Sequence, residues 1–122
     1  MRAAIVGLAA GAVAILAVDC RAVHAAERLA PSEIQSTFFN GQPFTASTPS
    51  NVKFKMTFTS DGKVTREPIG KAGANGQGTW KLTKDGFCTT WQGGQPNCFS
   101  VLSGQNKWSV MKGTTVIAVW TK

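Results

Sequence analysis

The chain is 122 residues long and carries 13 lysines and arginines against 6 acidic residues, a formal charge of +7. That length holds one domain with one modest core, and the charge favours anionic partners such as lipid headgroups or wall polymers. With a single histidine, His24, and three cysteines, the composition leaves little material for metal binding or for base-activated nucleophiles.

Met1-Arg2 supplies a short positive region, and Ala3 to Val18 is unbroken apolar or glycine. That is the length and composition of a signal peptide rather than of a membrane-spanning helix. Val23-His24-Ala25 offers small residues at the −3 and −1 positions, which predicts cleavage after Ala25, or one residue later after Ala26. Residues 1–25 are therefore expected to be a signal peptide, and 26–122 a single β-barrel domain in the periplasm or the medium. No integral membrane segment is expected after cleavage. Cys20 follows the apolar run, but Asp19 stands where a lipoprotein signal wants a small residue.

Cleavage would remove Arg2, Arg21 and Asp19, leaving eleven basic and five acidic residues and a net charge of about +6. It would also remove Cys20 and His24. The remaining Cys88 and Cys98 form an even pair in an oxidising compartment, which predicts a disulfide. Without histidine, Ser-His-Asp and Cys-His machinery is ruled out and the usual ligands of catalytic zinc are missing. No enzyme activity, metal or cofactor is expected, and export makes nucleic acid a poor partner.

Pro31 suits a first helical turn, and Ser32 with Gln35 has capping-box spacing. Asn40-Gly41 stops this short helix, whose Ile34, Phe38 and Phe39 are expected to dock on a sheet. Everything after Gln42 has strand character. Val52, Phe54, Met56 and Phe58 alternate with Lys53, Lys55, Thr57 and Thr59, a period of two with one apolar and one wet face. Asp61-Gly62 is a hairpin signal, Lys63 to Ile69 is the return strand, and Pro68 marks its end or a sheet edge.

Gly70 to Gly78 reads as a glycine-rich loop. Further strands are predicted at Thr79 to Thr83, Phe87 to Trp91, Cys98 to Leu102, Lys107 to Met111 and Val116 to Thr121. Turns lie at Asp85-Gly86, Gln92 to Asn97, Ser103 to Asn106 and around Gly113. The fold class is thus mainly β: a small antiparallel up-and-down barrel, or a sandwich, with one short N-terminal helix.

Cys88 and Cys98 are equidistant from Gly93, so a hairpin centred there sets them opposite each other. Of the tryptophans, Trp80 and Trp108 are expected in the core, while Trp91 borders a glycine-rich turn and is expected to be partly exposed. The carboxylates show no paired acid and base; Asp61 and Asp85 are explained by their Asp-Gly turns.

Gly78-Thr79-Trp80, then Asp85-Gly86, Cys88, Trp91 and Cys98, resembles a pattern of small bacterial periplasmic β-barrel proteins, over about half of the mature chain. In its export, size, β fold and disulfide the chain is also similar in type to the bacterial peptidoglycan-hydrolase (lysozyme) inhibitors. That resemblance implies non-covalent occlusion of a lysozyme-like hydrolase by a short polar loop. Ser103-Gly104-Gln105-Asn106-Lys107, which a plain hairpin turn explains equally well, and Gln92 to Asn97 are the candidate loops, with Ser103 and Lys107 as polar contacts and Trp91 as buried area at the rim. Gly-x-Trp alone also resembles lipocalins and avidins, although a hairpin precedes it here where those families place it on the first strand. That resemblance implies a barrel binding a small ligand or an anionic envelope component.

Overall fold

The structure, a computed structural model, describes residues 27–122. The expected signal peptide, with Cys20 and His24, lies outside the described residues. The strands are β1 (Glu27–Arg28), β2 (Phe44–Ser47), β3 (Lys53–Phe58), β4 (Lys63–Pro68), β5 (Gly76–Leu82), β6 (Phe87–Trp91), β7 (Asn97–Ser103), β8 (Trp108–Lys112) and β9 (Thr115–Thr121). One helix, α1 (Pro31–Phe38), precedes β2.

Strands β2 to β9 form an antiparallel meander that closes on itself, because β9 pairs with β2 as well as with β8. The sandwich alternative is excluded by that closure. Closure leaves no long unpaired edge, which is how a small sheet avoids pairing with other chains. Two of the eight seams are narrow: β2–β9 and β6–β7 each hold three residue pairs, against four or five in the others. Strand β1 pairs with Leu102 and Ser103 of β7, beyond the stretch of β7 that β6 covers.

The period-two pattern decides which face is buried. Phe44, Ala46, Met56, Phe58, Val64, Phe87, Val101, Val110, Ala118 and Trp120 line the core. Lys53, Lys55, Lys63 and Glu67 face water, with Lys55 Nζ 3.4 Å from a Glu67 oxygen. Cys88 lies directly opposite Cys98, and the two form a disulfide across the β6–β7 seam.

Several local expectations shift. The helix cap is Ala30, not Ser32: Pro31 takes the first helical position, and the Glu33 carboxylate accepts the Ala30 N–H at 2.9 Å. Gln35 makes no cap. The glycine-rich loop is shorter than predicted, since Gly76 and Gly78 belong to β5 and pair with Arg66 and Val64 of β4. Strand β2 was not separable in the sequence from its surroundings, and β1 carries no signal at two residues long.

Alternate connections of a meander lie at the same end of the barrel. Helix α1 closes the end that also carries the 59–62, 83–86 and 104–107 turns. Ile34, Phe38 and Phe39 are at most 1% exposed. Phe39 stacks on Phe58 at 4.1 Å, and Phe38 meets Phe44, Trp108 and Trp120 at 4.9 Å each. Lys122 Nζ, just past β9, donates to the Thr37 carbonyl at 2.7 Å, holding the chain's last residue to the helix. The opposite end, bounded by the 48–52, 69–75 and 92–96 loops, has no such plug among the described residues.

Candidate functional site

Below the unplugged end lies a cavity of about 150 Å³. Its floor is Phe58, Phe87 and Trp120, the same rings that touch Phe39 of the plug from the other side. Its walls include Met56, Thr89, Val110 and Ala118, and its mouth Thr48, Phe54, Arg66, Trp91 and Ile117. Ile117 reaches this lining because the β8–β9 register slips between Val110 and Met111, leaving it out of the ladder. Thr89, 3% exposed, is the one buried polar residue among the described residues, and it faces this space.

The mouth is organised around Arg66. On β4 its neighbours Thr65 and Glu67 point to water, so Arg66 shares the inward face with Val64. Its guanidinium carbon sits 4.6 Å from the Trp91 ring centroid and 5.3 Å from that of Phe54, within cation–π range of both. Its Nε is fully enclosed and has no hydrogen-bond partner among the described residues. Among the described residues the only ion pair is Lys55–Glu67 on the outer face, so Arg66 has no carboxylate partner.

Glycine lets the backbone come this close. A Cβ at Gly76 would stand 2.8 Å from Arg66 Nε and 3.3 Å from the Trp91 ring. A Cβ at Gly73 would stand 2.8 Å from the Phe54 ring, and Gly73 also holds a φ of +94° that side chains resist. The glycine-rich segment therefore packs flat against the Phe54–Arg66–Trp91 group.

Trp91 lies at the open mouth, half-buried, as its position beside the 92–96 turn suggested. Ser103 and Lys107 lie at the other, plugged end. Ser103 Oγ donates to the Glu27 carbonyl at 3.3 Å, and the Gly104 N–H donates to the Lys107 carbonyl at 2.9 Å to close the hairpin. The three residues expected to share a partner-binding surface are thus not brought together. Lys107 is exposed; Ser103 is half-buried under β1.

From the sequence Phe54 is read only as part of an apolar strand face and Gly73 and Gly76 only as part of a loop, and none of them, nor Arg66, is read as a site residue. The signal was present for Arg66: Val64 is apolar and inward, and period two carries that face to residue 66. Nothing in the sequence placed Trp91 against it, because that contact crosses from β4 over β5 to β6.

Among the described residues no group of three or more His, Cys, Asp or Glu is placed to hold a metal ion, and no helix is long and apolar enough to cross a membrane. Asp61 is the one described group with a resolved titration shift: the Thr59 hydroxyl donates to its carboxylate and holds it below the ordinary aspartate range. It sits in the exposed β3–β4 turn, away from the cavity. No family model, curated protein or solved structure matches the chain.

Proposed function

We propose that this protein is a small ligand-binding barrel whose open end admits one compact, largely apolar molecule. The observation that carries the reading is the cavity: about 150 Å³, floored by aromatic rings, closed below by α1 and without such a plug at its other end among the described residues. An eight-stranded barrel is wide enough either to be filled by its own side chains or to hold one small ligand. Here Ala46 and Ala118, where larger residues would fill the centre, leave the space open. A cavity of about 150 Å³ is large enough to accept a molecule the size of benzene. The occupant is therefore ring-sized, or the end of a longer chain.

The competing expectation is inhibition of a lysozyme-like hydrolase. Its expected contacts are divided between the two ends: the Ser103–Lys107 hairpin lies at the plugged end, and Trp91 with the Gln92 to Asn97 turn lies at the open end. An eight-stranded cylinder with a rigid hairpin still suits pre-organised binding, and the two readings separate experimentally.

Titration of the purified protein with neutral ring-sized probes, benzyl alcohol and benzamide, followed by ¹H–¹⁵N chemical shifts, tests the cavity. Shifts are expected at Met56, Thr89 and Ala118 and not at Gln105 to Lys107. Ala118→Leu should weaken them by filling the space while the fold persists by circular dichroism. Absence of shifts at millimolar probe, or shifts unchanged in Ala118→Leu, would overturn the reading.

A further inference from the structure

We infer that the cavity's occupant is a carboxylate, an aryl or short alkyl acid whose carboxyl group meets Arg66 while its apolar part drops toward Trp120. This rests on the binding-barrel reading above and adds the charge of the ligand.

Among the described residues Arg66 is the only charged side chain lining the cavity. A guanidinium taken partly out of water and left without an anion is costly, and chains seldom keep one without a use. Phe54 and Trp91 occupy the neighbourhood of its faces. Ring faces compensate the charge only in part, and they leave the in-plane N–H donors unanswered. Nε itself lies enclosed against Gly76 with no hydrogen-bond partner among the described residues, so the terminal nitrogens are the donors left for a ligand. At Gly76 the missing Cβ, which would stand 2.8 Å from Nε, lets the backbone pack against that edge of the guanidinium.

The fork of donors matches a carboxylate, which takes two parallel hydrogen bonds from one guanidinium. One negative charge on the ligand balances the one positive charge in the lining. A phosphate monoester carries nearly two charges and three acceptor oxygens at neutral pH, and this mouth offers it a single cation. The small volume sets the size of the remainder: a phenyl ring or a chain of about five or six carbons.

Isothermal titration of the purified protein with benzoate, benzamide, phenyl phosphate, hexanoate and hexanamide tests the inference. Benzoate and hexanoate should bind at least ten-fold more tightly than their amides. In Arg66→Gln the acids should bind no more tightly than their amides. Arg66→Lys should keep a reduced preference, because an ammonium supplies charge without the fork. Equal affinity for acid and amide, or an acid preference that survives Arg66→Gln, overturns the carboxylate inference and leaves the cavity reading intact. Phenyl phosphate outcompeting benzoate overturns it in favour of a phosphate ligand. Failure of all five probes to bind overturns the cavity reading itself. Should Arg66→Gln fold poorly, Arg66→Lys and the acid–amide ratio in the unmodified protein still decide the matter.

Discussion

Phe39 joins the stability of the barrel to the depth of its cavity. The ring is 1% exposed, lies parallel to Phe58 at 4.1 Å, and meets Trp80 at 4.6 Å and Phe87 at 5.2 Å. Removing it in Phe39→Ala forfeits roughly 1.5–3 kcal/mol of apolar transfer. Each lost aromatic pair adds roughly 0.5–1.5 kcal/mol, and the void is only partly refilled as Phe58 and Phe87 settle toward it. Large-to-small changes of this kind cost about 3–5 kcal/mol. A domain of this size is stable by on the order of 5–14 kcal/mol, so the loss is a large share of the whole. At roughly 4–8 °C per kcal/mol the melting temperature should fall by at least about 12 °C. Urea unfolding followed by tryptophan fluorescence should show a lower midpoint at unchanged slope. The same substitution lowers the cavity floor, because Phe58 and Phe87 lie between Phe39 and the ligand space. The variant should then bind naphthalene-sized probes that the parent refuses. A destabilisation below about 1.5 kcal/mol would refute the reasoning, since a ring so placed would not then be acting as the plug.

Three further outcomes are expected. Cys88→Ser should cost roughly 2–3 kcal/mol on the chain-entropy view, and dithiothreitol should lower the stability of the parent but not of the variant. The check is thermal melting with and without reductant; additive effects would contradict a Cys88–Cys98 bridge in the purified protein. Thr59→Val should return Asp61 toward the ordinary aspartate range, read by carboxyl carbon shifts during an acid titration. A carboxylate depressed in the folded state adds stability above its unfolded value and loses it as pH falls through the folded one, so the variant should show the flatter stability profile below about pH 4. In a turbidity assay of wall lysis, a hairpin-borne inhibitor predicts dose-dependent protection that weakens in Lys107→Glu; a ligand-binding barrel predicts no protection at micromolar protein.

Legibility in the sequence followed the range of the interactions involved. The alternation from Val52 to Thr59 and the Asp61-Gly62 turn are local, and β3, β4 and their hairpin appear within a residue of their predicted bounds. The Cys88–Cys98 pairing was equally local, one hairpin with a midpoint at Gly93. Gly86 shows the opposite case. In sequence it belongs to an Asp-Gly turn, yet its φ is ordinary, and what forbids a side chain there is the Phe99 carbonyl pressed against it from β7. Gly78 is held the same way by the Thr90 carbonyl of β6. Those glycines serve contacts between strands, which no window of neighbouring residues contains. The mouth of the cavity is non-local for the same reason: Arg66 could be assigned a face, but not its companions. Trp91 and Ser103 with Lys107 are close in the chain and sit at opposite ends because one strand, β7, runs the length of the barrel between them.

A closed cylinder carries load around its circumference, and its weakest joints set what it tolerates. The two narrow seams are each reinforced by something other than strand pairing. At β6–β7 the disulfide rivets the three-pair contact at its centre, and β1 laps over the part of β7 that β6 leaves bare. At β2–β9, where the first and last strands of the meander meet, Lys122 ties the chain's last residue to the helix through the Thr37 carbonyl and lies 5.7 Å from the Phe38 ring. The hoop is therefore fastened twice, once covalently and once by a polar clasp, and reductant loosens only the first.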